Sequence, residues 1–373
     1  MASQVPSDVE KTTKGEFFGP RAKLRRHAER GRYDPEEVFA VVDAAPIAHL
    51  AFVLAGQAHC IPLAHGRVGR TVYLHGAVAN RALKALQGEQ ASCLVFTLLD
   101  GLVCATRAFN HSMNFRCAVV FGQARELTDP EELGVALSAI VDHNLPGRTQ
   151  ELPPHSEQEL AMTRVVAVDI TEASVKVRSG GTGQPAETIP GSPNWVGTLP
   201  LALVAGGLQR DPALQPETLL DPSIGLAAVR YGANPVIEQR DGEWLYSTDD
   251  GRLDVDWIAQ LLTESYWAKG VSRAAVSQSL TGSLCFGLYE GGRQVAFARV
   301  VSDGCRIGYV ADVIVDPGRQ RCGLGTKLMN FVLAHPQVAK LSRLVLATRD
   351  ADGFYERCGF KKGANVHLSR LND

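Results

Sequence analysis

The sequence predicts two domains of different class, an N-terminal β-barrel or sandwich carrying helices and a C-terminal mixed α/β domain. Three observations lead there. The chain has 373 residues, enough for two cores of ordinary size. Short apolar and β-branched runs, separated by turn residues, crowd residues 47–180, as closely spaced strands do. Beyond a Gly- and Pro-rich stretch over 179–222, helical and strand patterns alternate instead, so the boundary is expected near residue 225.

Taken in order, residues 1–19 read as a flexible tail, and "RRHAERGRY" (25–33) as a solvated basic helix. Asp34 and Pro35 then mark a helix start. The strands follow: "IAHLAFVLAGQ", "AHCIPLAHG", "TVYLHGA", "ASCLVFTLLDGLV" and "NFRCAVVFGQARELT", interrupted by a short helix at "NRALKALQG". Asp129 and Pro130 start another helix, and "RVVAVDITEASVKVRSG" returns to strand. In the second domain two helices, "LDVDWIAQLLTESYWAKG" and "SRAAVSQSLTG", precede a hairpin, "LCFGLYEGGRQVAFARVV", that turns at "EGGRQ". A strand "RIGYVADVIVDP", a helix "GLGTKLMNFVLAHP", a strand "LSRLVLATRD" and a short helix in "ADGFYERCGF" complete the order, with a final strand starting at its end.

Composition narrows the function classes. The chain is 45% hydrophobic and 21% charged with a net charge of −2, so it offers no basic field for nucleic acid. Its longest apolar runs, such as "LPLALVAGG", fall short of the ~20 residues of a membrane span. The polar N-terminus lacks an apolar signal core, and cytoplasm is the expected location. Eight cysteines are scattered without a CxxC pair, and no HxxxH or HExxH spacing occurs, so neither disulfides nor a bound metal is expected.

The chemistry concentrates at "RQRCGLGTKL", residues 319–328. Alternate residues Ile307, Tyr309, Ala311, Val313 and Val315 are expected to share one strand face, ended by Pro317. Gly323 and Gly325 let a phosphate approach the turning backbone, and Leu324, Leu328 and Val332 recur as one helix face does. The first amides of such a helix suit a pyrophosphate. The P-loop pattern fails because Lys327 follows no glycine, and GxGxxG fails because residue 328 is Leu. What remains is QxxGxG, residues 320–325.

The order helix, helix, hairpin, strand, QxxGxG, helix, strand, "FYERCGF" resembles the GCN5-related N-acetyltransferases over about residues 235–370. The resemblance implies a strand that splays from its neighbour, with the backbone of Val313 and Val315 along the pantetheine arm of acetyl-CoA. It places Arg321, Gly323, Gly325 and Thr326 at the pyrophosphate, and Tyr355 as the acid that reprotonates the departing thiolate. The acceptor would be a small-molecule or peptide amine, whose proton must be removed at neutral pH. Asp312 and Asp316 are both candidates to orient that amine or relay its proton, and both are equally candidates to cap the loop. Trp267 and Arg273 lie where an acceptor site is often built.

Residues 20–222, with "YLHGAVANRALKAL" at their centre, resemble the FMN-binding split barrels of the pyridoxamine 5′-phosphate oxidase superfamily, in its nitroimidazole-resistance-related branch. The resemblance implies an antiparallel split β-barrel with helices over 20–224 and an acetyltransferase fold over 225–373. It places Arg81 at the flavin phosphate with His75, Asn80 and Lys84 as neighbours, and lays "CIPLAH", with Pro62, against the isoalloxazine ring. "HSMNFR" would close over the flavin through Asn114 and Arg116, and a homodimer would form through the barrel. The oxidases' substrate-binding C-terminal pattern is absent, so a flavin reductase, an oxidase of another small molecule or a flavin-binding module that regulates the acetyltransferase fits better than pyridoxine phosphate oxidation. Haem in the barrel is a further alternative.

Overall fold

The computed structural model of the protein describes residues 15–86 and 91–363. It divides into two compact units, and the division is interleaved along the chain. The first unit takes the chain up to Val204 together with Asp221–Gly232, and the second takes Ala205–Leu220 together with everything from Ala233 onward. The boundary expected near 225 therefore falls inside a stretch that belongs to the first unit.

The first unit is built on β1 (Gly31–Arg32), α1 (Pro35–Ala44), β2 (Ala48–Leu54), β3 (Gln57–Leu63), β4 (His65–Val68), β5 (Thr71–Ala77) and α2 (Arg81–Ala85). It continues through β6 (Ala91–Cys104), β7 (Ser112–Glu126), α3 (Pro130–Asn144), α4 (Glu157–Met162), β8 (Thr163–Arg178), β9 (Gly197–Pro200) and α5 (Pro222–Arg230). Its strands pair in the order β3-β2-β6-β7-β8-β5-β4, with β1 added to β8 and β9 to β6. Every ladder in it is antiparallel. That is the antiparallel split barrel the sequence led us to expect. One core gathers Leu50, Leu74, Phe96, Val120 and Val168 around Val38 and Val42 of α1 and Leu83 of α2. A smaller core sits under α3, where Ala136, Leu137 and Ile140 cover Tyr73, Val165 and Ala167. There β4 runs so close to α3 that a Cβ on Gly66 would lie 2.3 Å from the Ala139 carbonyl carbon.

Two expectations for the N-terminal stretch are corrected. Residues 1–14 of the expected tail lie outside the described residues, but residues 15–19 are anchored: Phe17 is 1% exposed in the barrel core and its N–H donates to the Tyr33 carbonyl. The expected basic helix is a turn-rich segment ending in a 3₁₀ turn and β1, whose Gly31 and Arg32 pair with Lys176 and Val175. Burial of Phe17 and Ala22, with Arg21 held by Glu172, outweighs the helix propensity of an Arg-rich run that has no apolar face.

The second unit comprises β10 (Glu238–Asp241), β11 (Trp244–Ser247), α6 (Val255–Glu264), α7 (Arg273–Thr281), β12 (Leu284–Glu290) and β13 (Arg293–Ser302). After these come β14 (Ile307–Val315), α8 (Leu324–Ala334), α9 (Pro336–Ala339), β15 (Arg343–Val345) and α10 (Asp352–Arg357). The six strands run in the order β10 to β15, antiparallel except for the β14–β15 pair. α6 and α7 pack on one face through Ile258, Leu262, Val276 and Leu280, against Phe297 and Ile314. α8 covers the other face through Leu324, Leu328 and Val332, against Ala298, Val300 and Val310. The turn between β12 and β13 has Gly291 and Gly292 at φ 55° and 80°, the pair of positive angles a two-residue hairpin needs. The final strand expected from Phe360 onward lies largely outside the described residues.

Residues 205–220 wrap the β10–β11 side of this unit. Arg252, paired with the buried Glu238, donates to the carbonyls of Pro216 and Thr218, while Arg210 reaches Asp249 at 3.3 Å. Residues 221–232 are held by the first unit through different contacts. Ser223 Oγ donates to Glu151 at 2.5 Å, Tyr231 Oη donates to Asn144 at 2.7 Å, and Arg230 donates to the carbonyls of Asp43 and His143.

Candidate functional site

The second unit contains a cavity of about 1470 Å³ where β14 parts from β15. The two strands pair only from Ile307 to Tyr309 against Arg343–Val345. Among the described residues no strand pairs with 310–315 on that edge, so the backbone of Val313 and Val315 faces the cavity side without a ladder partner there. Both residues line the cavity.

The parting coincides with a bulge. Between Phe297 and Arg299, β13 advances two residues while β14 advances three, from Ala311 to Ile314. Asp312, at φ 53°, takes up the extra residue. This corrects the expected strict alternation from 307 to 315. Tyr309 and Ala311 share a face with Ile314, on the α6–α7 side. Val313 and Val315 move to the α8 side beside Val310. Asp312 itself is not free: its Oδ2 accepts from Arg299 Nε at 2.5 Å and its Oδ1 from Trp267 Nε1 at 3.2 Å. With side chains 18% and 10% exposed, Arg299 and Asp312 form a largely buried pair, so both oxygens of the carboxylate are already engaged.

The loop after β14 leads to the N-terminus of α8. Asp316 caps its first turn, accepting from Gly318 N–H at 2.8 Å and from Arg293 at 2.5 Å, so of its two expected roles it fills the structural one. Arg321 and Gly323 both hold positive φ, 62° and 81°, and Gly323 is the residue before α8 with no side chain capping the helix. The first-turn amides of α8, which begins with Leu324, Gly325 and Thr326, are therefore presented toward the cavity with the positive end of the helix dipole. The two glycines differ in their reasons. Around Gly323 a Cβ would meet nothing within 4 Å, so conformation alone calls for glycine there, whereas a Cβ on Gly325 would press to 3.2 Å on the Phe354 ring. Lys327 points elsewhere, toward Asp241 at 3.3 Å and the Trp244 ring.

Across the cavity stands Tyr355 of α10, half-buried against Phe354 and Phe360. Burial, with the nearby Tyr266, Cys358, Tyr309 and Asp350, pushes its phenol up to about 12, so at neutral pH it holds its proton. Trp267 lines the cavity edge-on to Tyr266, whose other neighbour is the Arg349 guanidinium, 3.9 Å from its ring. Tyr266 and Asp350 belong to this wall but carry no spacing signal in the sequence. Arg273, expected beside Trp267, is not among the lining residues; it pairs with Asp256 at the start of α7.

In the first unit His75 lies near the end of β5, and Asn80 and Arg81 stand where the chain enters α2. Asn80 caps α2, its Oδ1 accepting from the N–H groups of Ala82 and Leu83 at 2.9 and 3.3 Å. Arg81 is exposed beside it, and the Nδ1 of His75 is buried with no hydrogen-bond partner among the described residues. Pro62 is exposed on β3, opposite His49. Asn114 and Arg116 on β7 are already engaged. The Asn114 amide donates to the Gly180 carbonyl at 3.0 Å and accepts from Arg178 at 2.5 Å, and Arg116 grips Asp100 through two bonds of 2.7 and 3.0 Å.

Comparison with known proteins matches each unit to a different group. A family model for pyridoxamine 5′-phosphate oxidase matches residues 34–177, and one for the acetyltransferase (GNAT) domain matches residues 281–362. A Gibberella zeae protein named as an acetyltransferase is 31% identical over 130 residues, which is 29% of this chain and 73% of that protein. Among solved structures, the flavocytochrome Anf3 from Azotobacter vinelandii is 32% identical, covering 58% of this chain and 98% of its own, with a TM-score of 0.53. The FAD and haem binding protein from Mycobacterium smegmatis is 31% identical over 52% of this chain and 95% of its own, with a TM-score of 0.50.

Proposed function

Because the chain belongs to two families at once, joining a pyridoxamine 5′-phosphate oxidase-type split barrel to a GNAT acetyltransferase domain, we propose that it transfers an acetyl group from acetyl-CoA to an amine and that its barrel binds a flavin. The observation that carries the transferase reading is the unpaired β14 edge, which runs into the uncapped N-terminus of α8 inside the cavity that Tyr355 faces. Backbone groups of Val313 and Val315 suit the amides of a pantetheine arm, and the α8 amides with Arg321 suit its pyrophosphate. In the reaction the neutral amine nitrogen attacks the thioester carbonyl carbon, forming the C–N bond as the C–S bond breaks. The thiolate takes the Tyr355 proton, the proton lost by the amine passes to solvent, and solvent returns a proton to Tyr355, leaving an amide and free CoA. Asp312, held by Arg299, fixes the Trp267 indole at the cavity wall and so positions the acceptor.

The β5–α2 corner of the barrel fits a phosphate-bearing flavin: Arg81 is an exposed cation and the buried His75 Nδ1 lacks a partner among the described residues. A bound flavin would supply hydride or electron transfer. The barrel's exposed apolar side chains, among them Phe109 at 96%, support its assembly as a homodimer, in which a mutant Phe109→Asp is expected to shift the sedimenting species toward monomer.

Calorimetric titration with acetyl-CoA, and separately with FMN and FAD, tests both halves. Acetyl-CoA should bind whether or not Arg81 is intact, and Arg81→Glu should weaken the flavin by about tenfold or more through loss of one charge-assisted contact. Failure of the wild type to bind any of the three would remove the proposal. A yellow protein that no nicotinamide donor reduces would make the barrel a sensing module. A Soret band in the same spectrum would extend the likeness to the haem-binding relatives.

A further inference from the structure

Among the described residues two carboxylates line the cavity, Asp312 and Asp350, and the structure separates them by what they touch. Both oxygens of Asp312 are occupied, one by a guanidinium and one by an indole N–H. Asp350 is exposed on the cavity wall and has no hydrogen-bond or ion-pair partner among the described residues. It lies at the end of the chain segment that leaves β15 and enters α10, five residues before Tyr355.

Its surroundings favour a cation. Tyr309, on the facing strand, is 43% exposed and presents a ring into the same space. Three of the arginines lining the cavity are spent on other groups: Arg299 on Asp312, Arg319 on Glu290, and Arg349 on the face of Tyr266, whose hydroxyl also accepts from the Arg349 N–H at 3.0 Å. The negative charge of Asp350 is felt at the Tyr355 hydroxyl, which places it near the reacting end of the cavity rather than the phosphate end.

We propose that Asp350 is the docking carboxylate for the acceptor, and that the acceptor is a primary amine recognised as its ammonium cation between Asp350 and the Tyr309 ring. This rests on the acetyl-CoA reading of the cavity. An acceptor already lacking a positive charge, such as an amide or an alcohol, gains nothing from Asp350. An acceptor with a carboxylate beside its amine meets repulsion there.

The test needs no knowledge of the natural acceptor. S-(2-aminoethyl)-CoA carries an ammonium just beyond the sulfur, and S-propyl-CoA is its uncharged counterpart. Calorimetry should show the wild type binding the aminoethyl compound roughly tenfold more tightly, the effect of one charge-assisted hydrogen bond. Asp350→Asn should abolish that preference while binding S-propyl-CoA as the wild type does. Asp352→Asn, two residues on and paired with Lys362 at 2.6 Å outside the cavity, should retain it. Equal affinity of the wild type for both compounds, or a preference that survives in Asp350→Asn, overturns the proposal. Binding of neither compound nor acetyl-CoA by the wild type overturns the acetyl-CoA reading beneath it.

Discussion

Tyr355→Phe is expected to lower the turnover of acetyl transfer by about 100-fold, the low end of what a positioned acid contributes. Acetyl-CoA affinity should stay within about twofold, because the phenol ring packs against Phe354 and Phe360 and only its oxygen is removed. The sign of the pH effect follows from the raised phenol. A group pushed up to about 12 stays protonated through the neutral and mildly alkaline range, so the acid form is never limiting there. Rate should therefore rise with pH as the amine loses its proton and show no fall from Tyr355 below the alkaline extreme. Steady-state kinetics over that range, with a parallel binding titration, checks both statements. Full turnover in the Phe variant would remove Tyr355 from the chemistry.

Gly323→Glu should reduce acetyl-CoA affinity by about 100-fold or more, for two reasons that a pair of variants separates. At φ 81° any L side chain is strained, by roughly 1–2 kcal/mol, although a Cβ meets no protein atom within 4 Å. Gly323→Ala carries that strain alone and is expected to lose about tenfold, the equivalent of that penalty. The glutamate adds a negative charge at the helix end where the pyrophosphate is to sit. Calorimetry on both variants, with thermal melting to confirm folding, reads the difference. Equal losses for Ala and Glu would mean that no anion binds at this loop.

The transferase half was legible because its chemistry is written into local backbone demands. QxxGxG and "FYERCGF" specify a left-handed turn, a helix start and an aromatic, all within short stretches. What the pattern could not show was partnership. Nothing in "YVADVIVDP" announces that Asp312 adopts φ 53°, shifts the register and turns its carboxylate onto Arg299, a residue of another strand. The same holds for Asp350 and Tyr266, which matter only because two distant segments line one cavity. β10 and β11 went unread because "EQRDGEWLYS" alternates weakly and its strands are four residues each. In the barrel the strand runs were plain. Asn114 and Arg116 read as ligand donors from their polarity, while the structure ties them to Gly180, Arg178 and Asp100.

The exchange of segments between residues 205 and 232 has an evolutionary meaning. Two genes joined end to end would leave one seam, and either product could be recovered by cutting there. In this chain a stop codon after Val204 deprives the barrel of α5, and one after Gly232 leaves it trailing residues whose anchors, Asp249 and Arg252, are encoded downstream. A start at Ala233 strips the transferase of the strap that those same side chains grip. Neither half is inherited as a detachable cassette, so the two units are bound to one fate under selection, expressed and lost together.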